Sequence, residues 1–169
     1  MIKRILLGCA FILAAALLQS TILSRLSLYI HAVPDLALVI LVYSAYVNGM
    51  MTGQLTGFFS GFLLDFLSAA PLGLNMFIRT LIGAITGFIK DTFYLDYLFL
   101  PMALCAGATI LKALILFLLH LLFPESVPTY FLRDLTLWVE IALNTLSAPI
   151  IFAFLRLIRI FNSKQKEKN

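Results

Sequence analysis

"GQLTGFFSGFLLDFLSAAPLGLNMFIRTLIGAITGF" occupies residues 53–88. Glycines recur every fourth residue at Gly53, Gly57 and Gly61, and the next step of the same beat is Asp65. Residues four apart share one face of a helix, so these four line up as a ridge. A second ridge follows at the same spacing: Arg79, Gly83 and Gly87. Between them "AAPLGLN", 69–75, carries Pro71 and Gly73, the punctuation of a tight turn. A glycine inside a helix costs roughly 1 kcal/mol in water. In lipid, small residues instead let two backbones approach closely. The stretch therefore predicts two antiparallel helices packed through glycine.

The composition names the solvent. Of 169 residues, 62% are hydrophobic and 12% charged, with a mean hydropathy of +1.05. A soluble domain carries about 25% charged residues. So apolar a chain lacks the polar groups to cover a surface in water, and the class expected is an all-α integral membrane protein.

Apolar runs of about 20 residues mark helical spans. They are expected at about 5–23, 36–50, 52–69, 74–89, 97–123 and 135–157. Pro34 suits the start of the second, where its missing N–H would be unpaired in any case. Asp35 beside it suits the positive end of the helix dipole. The layout predicts one six-helix domain over 1–161 and a basic tail over 162–169.

The net charge of +4 matters less than its distribution. With the N-terminus in the cytoplasm, Lys3, Arg4, Lys90, Arg156, Arg159, Lys164, Lys166 and Lys168 lie inside, and only Arg25 and Arg133 outside. That asymmetry predicts both termini in the cytoplasm. Tyr29, Tyr94, Tyr97 and Tyr130 fall in connections, where interfacial aromatics belong. A nucleic-acid site would need basic residues spread over a folded face, which this chain lacks.

Four charges remain inside spans: Asp65, Arg79, Lys112 and Glu140. An isolated charge at the bilayer centre costs ~2.5–3.5 kcal/mol on insertion scales, so pairing is favoured. Asp65 and Arg79 flank one turn, and at ~1.5 Å per residue both lie roughly 6–8 Å below the same boundary. They are expected to pair. Lys112 and Glu140 are expected to pair between the fifth and sixth spans, although their depths match less well, with Asn144 one turn deeper as a further polar partner.

Chemistry is sparse. His31 and His120 are far apart without ligand spacing, and Cys9 and Cys105 fall in apolar runs with no CxxC. His120 and the cysteines read as packing residues. There is no nucleophile elbow and no phosphate-binding loop. No catalytic residue, metal or cofactor is expected. Arg133, Asp134 and Trp138, at the head of the last span, read as interfacial anchors.

"PD" at 34–35, "GQLTGFFSGFLLDFLSAAPLGLN" at 53–75 and "RTLIGAITGFIKD" at 79–91 together resemble the bacterial rod shape-determining MreD family. The pattern maps onto Pro34, Asp35, Gly53, Gly57, Gly61, Asp65, Pro71, Gly73, Arg79 and Gly83. The resemblance implies a non-enzymatic inner-membrane subunit of the cell-elongation machinery. It also implies work with MreC, through that protein's single transmembrane helix, and with MreB, RodA and RodA's partner transpeptidase. A fold similar to the substrate-binding subunits of energy-coupling-factor transporters is implied too. The alternative is accordingly a solute-binding subunit of such a vitamin transporter.

Overall fold

A computed structural model of the chain describes residues 2–19, 33–68, 70–90, 92, 98–127 and 135–157. These residues form six helices: α1 Ile2–Leu18, α2 Leu36–Asn48, α3 Met50–Leu67, α4 Leu74–Phe88, α5 Phe99–Leu122 and α6 Leu135–Leu157. Arg25, Tyr29, His31, Tyr94, Tyr97, Tyr130, Arg133, Asp134, Arg159 and the basic tail at 162–169 lie outside the described residues.

α2 is the axis of the bundle. "LALVILVYSAYV" is apolar all round, the signature of a helix with no solvent-facing side. Every residue from Ala37 to Ala45 is buried, and all five other helices pack against it. Tyr43 meets Phe152 of α6 edge-to-face, with ring centroids 5.0 Å apart. At ~1.5 Å per residue α2 is only about 20 Å long, short of the ~30 Å hydrocarbon core. By length and composition α5 and α6 are the helices able to cross a membrane. Pro101 lies in the first turn of α5, where its missing N–H removes no helical bond.

Gly49 alone separates α2 from α3. Its φ of 90° is a backbone state that side chains disfavour. It caps both helices, and its N–H donates to Ala45 O. The chain reverses there within one residue.

Among the described helices, α3 and α4 pack most closely. A Cβ placed on Gly53 would strike the Gly83 carbonyl, and one on Gly57 the Arg79 carbonyl. On Gly61 it would come within 2.5 Å of Met76 Cα, and on Gly87 within 2.5 Å of Met50 Cα. Backbone therefore touches backbone along the whole interface, and running Gly53 against Gly83 and Gly61 against Met76 makes the two helices antiparallel.

α3 presents a second row of small side chains beside its glycines. Thr52, Thr56 and Ser60 are buried, and α1 approaches there: a Cβ on Gly8 would sit 3.0 Å from Thr56 Cγ2. Cys9 Sγ lies 3.8 Å from the Thr56 carbonyl oxygen, so this thiol serves packing. The face of α3 opposite these rows exposes Phe58, Phe59, Phe62 and Phe66. One helix thus buries its small residues and turns its aromatics outward, the reverse of a soluble amphipathic pattern.

Candidate functional site: a buried charge chain beside a cavity

The buried charges gather where α2 and α4 begin. Asp35 is the N-cap of α2, and its Oδ1 accepts from Leu38 N at 2.9 Å. This local bond fixes the carboxylate above the core. Arg79 Nη2 then donates to Asp35 Oδ1 at 3.1 Å and to Oδ2 at 3.2 Å. Lys112 Nζ donates to Asp35 Oδ2 at 2.9 Å and to Glu140 Oε1 at 2.7 Å. The result is a continuous chain, Arg79–Asp35–Lys112–Glu140, linking α4, α2, α5 and α6 with two positive and two negative groups.

Asn144 completes it from below. Its Oδ1 accepts from Asp35 N at 2.7 Å, and its Nδ2 donates to Thr109 Oγ1 at 3.0 Å. Asp35, Arg79, Glu140 and Asn144 are all at least nine-tenths buried. The Arg79 guanidinium, the Lys112 ammonium and the Leu38 N–H surround the Asp35 carboxylate and offset the cost of burying it.

Asp65 and Arg79 do not pair, which corrects the expectation from sequence. Asp65 instead receives the first turn of α4: Gly73 N donates to Oδ2 at 2.9 Å, Asn75 N to Oδ1 at 2.9 Å and Met76 N to Oδ2 at 3.2 Å. The reason lies in α4 itself. Its N-cap is Gly73, with φ 95° and no side chain to offer, and no acidic residue stands in its first turn. The orphan N–H groups and the positive end of the dipole need an acceptor from elsewhere, and Asp65 supplies it across the hairpin. Pro71 O accepts from Leu74 N at 3.1 Å and closes the same turn. Arg79, one turn deeper than Asn75, is left to face Asp35.

Lys112 and Glu140 do lie together, despite starting at unequal depth. The long lysine stem bridges the difference and lets its ammonium serve two carboxylates. The sequence placed Asp35 at a helix entry, on the dipole and in the family pattern, but did not reveal it as the hub of the ion pairs; Thr109 was missed altogether. His120 Nδ1 lies 2.9 Å from Val127 O at the far end of α5, remote from the chain of charges. No group of three potential metal-ligating side chains occurs among the described residues.

Two cavities border the cluster. One of about 470 Å³ lies between the end of α1, the end of α3 and the start of α4, with Asp35, Ser68, Asn75 and Arg79 on its polar side. Another of about 220 Å³ shares those four residues and extends to Lys112. A Ser68–Asn75 hydrogen bond of 3.2 Å joins two of the shared residues.

Asp35, Asp65 and Glu140 are each held by cations or backbone N–H groups, the pattern of a structural network. Comparison with protein-family models matches residues 1–158 to rod shape-determining protein MreD. No curated protein and no solved structure matches, so the expected likeness to energy-coupling-factor subunits finds no support. The glycine hairpin, the proline–aspartate start of α2 and a match over nearly the whole chain agree, and the chain belongs to the MreD family of rod shape-determining proteins.

Proposed function

We propose that the chain is a non-enzymatic, multi-pass subunit of the bacterial inner membrane that serves the cell-elongation complex. In this reading it binds MreC through helix faces and helps control lateral peptidoglycan synthesis, within a wider assembly of MreB, RodA and the partner transpeptidase. The family match over residues 1–158 carries the proposal. The vitamin-transporter alternative has no such support.

α3, α5 and α6 turn large apolar side chains outward, among them Phe62, Phe66, Leu118, Leu121, Ile150 and Phe154. Such faces suit lipid and the side of another transmembrane helix. Inside a bilayer, association is driven by packing and lipid release, since apolar burial gives little drive there. A bundle whose interior is locked by glycine contacts and ion pairs offers a fixed template for that packing. The membrane-spanning orientation with both termini in the cytoplasm belongs to the same proposal, and reporter fusions at each end test it.

The direct test is affinity purification of the full chain in mild detergent from a rod-shaped host. Recovery of MreC supports the reading. Its absence, together with normal cell shape after depletion of the chain, would overturn it.

A further inference from the structure

We infer that residues 108–122 of α5 and 135–148 of α6 form an arm that swings away from α2 and α4 as one body, on a hinge at Gly107 and Pro149. The arm goes beyond the shape-determining reading. It rests on that reading only for its lipid surroundings, which the reporter fusions test separately.

The ion pairs divide at this seam without stranding a charge. Lys112–Glu140 joins α5 to α6, and Arg79–Asp35 joins α4 to α2. Each pair is neutral by itself. Two bonds latch the arm to the other helices: Lys112 Nζ donates to Asp35 Oδ2 at 2.9 Å, and Asp35 N donates to Asn144 Oδ1 at 2.7 Å. When the second opens, Asn144 keeps its bond to Thr109 within the arm. Removing one partner of a buried pair leaves an uncompensated charge, whereas parting here leaves two complete pairs.

The seam is loosely filled at the same place. The cavity of about 220 Å³ has Leu38, Leu74 and Ile78 on one side and Lys112 and Leu116 on the other. α5 and α6 pack more extensively on each other than on any other helix. Exchanging their remaining apolar contacts for lipid costs little, because lipid tails are as apolar as the side chains they replace.

Both helices carry a weak point just beyond the latch. Gly107 is the one glycine of α5, five residues before Lys112, and Pro149 is the one proline of α6, five residues after Asn144. At ~1.5 Å per residue each lies roughly 7–8 Å from its latching residue, so the two stand at a similar level. Pro149 offers no N–H to the Thr145 carbonyl, and Thr145 Oγ1 donates back to Ile141 O at 2.6 Å, an arrangement that bends helices. A Cβ on Gly107 would meet nothing within 4 Å, so no close contact requires a glycine there. Past the hinge, the Tyr43–Phe152 ring contact holds α6 to α2.

Spin labels at Leu118→Cys on the arm and Phe77→Cys on α4 test this in the full chain carrying Cys9→Ala and Cys105→Ala, in lipid discs. Both labelled positions are about half exposed, at 52% and 49%. Leu118 stands eleven residues past Gly107, a lever of roughly 16 Å, so a bend of about 20–30° moves it about 6–8 Å. Pulsed electron paramagnetic resonance should read one distance in this parent. Lys112→Met with Glu140→Gln opens one latch bond at constant net charge, and Asn144→Ala opens the other. Each should raise the open-to-closed ratio about tenfold or more and add a second distance, longer by about 6–8 Å. Gly107→Ala with Pro149→Ala, added to either, should return the single distance. Labels at Phe88 and Phe154, past the hinge, should stay in place. An unchanged distance in both latch variants, an equal shift of the Phe88–Phe154 pair, or no effect of stiffening the hinge would overturn the inference. Should the Lys112 and Glu140 double variant fail to fold, Asn144→Ala decides alone.

Discussion

Replacing Asp35 with Asn probes the charge chain with little other disturbance. Asn has nearly the same shape and is as good an N-cap as Asp, so the bond to Leu38 N survives. The bond from Asp35 N to Asn144 uses only the backbone and also survives. What changes is charge: Arg79 and Lys112 then face Glu140 alone, and the cluster goes from neutral to +1. Lys112 keeps its 2.7 Å contact with Glu140, so the unpaired cation is Arg79. Removing one partner of a buried pair costs about 3–5 kcal/mol. At about 1.4 kcal/mol per decade, the folded-to-unfolded ratio should fall by roughly two to four powers of ten. Unfolding with a denaturing detergent in mixed micelles reads this, followed by helical circular dichroism and by Trp138, the single tryptophan. Asp35→Asn combined with Arg79→Leu should recover much of the loss, since the stranded cation is gone. An Asp35→Asn variant within about 0.5 kcal/mol of wild type would mean that Arg79 does not need the Asp35 charge.

Other outcomes follow from the hairpin. Gly57→Ala puts a Cβ against the Arg79 backbone carbonyl, where no side chain can move aside. It should cost about 1–3 kcal/mol in the same titration and fail to restore rod shape in a depleted host. Gly73→Ala meets no neighbour, yet the φ of 95° penalises it by roughly 1–2 kcal/mol, visible as a lower melting temperature. Asp65→Asn weakens the acceptor at the start of α4 and should cost about 0.3–2 kcal/mol, with Arg79 unaffected.

The hairpin was legible because it is local. A four-residue beat on each helix and one turn between them leave a single way to fold, and the glycines of α3 and α4 do meet. The charge chain was legible only in part. Asp65 and Arg79 are neighbours across the turn, which made them the natural pair, but that ignored four backbone N–H groups that any helix start must satisfy. A glycine at the N-cap of α4 with no acidic residue behind it was the available signal. The role of Asp35 as hub escaped notice because its partners Arg79, Lys112 and Asn144 lie 44, 77 and 109 residues away, and no periodicity spans such separations. The central position of α2 was similarly present as an all-round apolar run, although length alone made it look like one span among six.

Arg79 belongs to Asp35, and Asp65 to the start of α4. Two double-mutant cycles, Asp35→Asn with Arg79→Leu and Asp65→Asn with Arg79→Leu, measure it in the same unfolding assay. The first cycle should show a coupling of about 0.5–3 kcal/mol and the second less than about 0.5 kcal/mol. Strong coupling between Asp65 and Arg79, with none between Asp35 and Arg79, would contradict it.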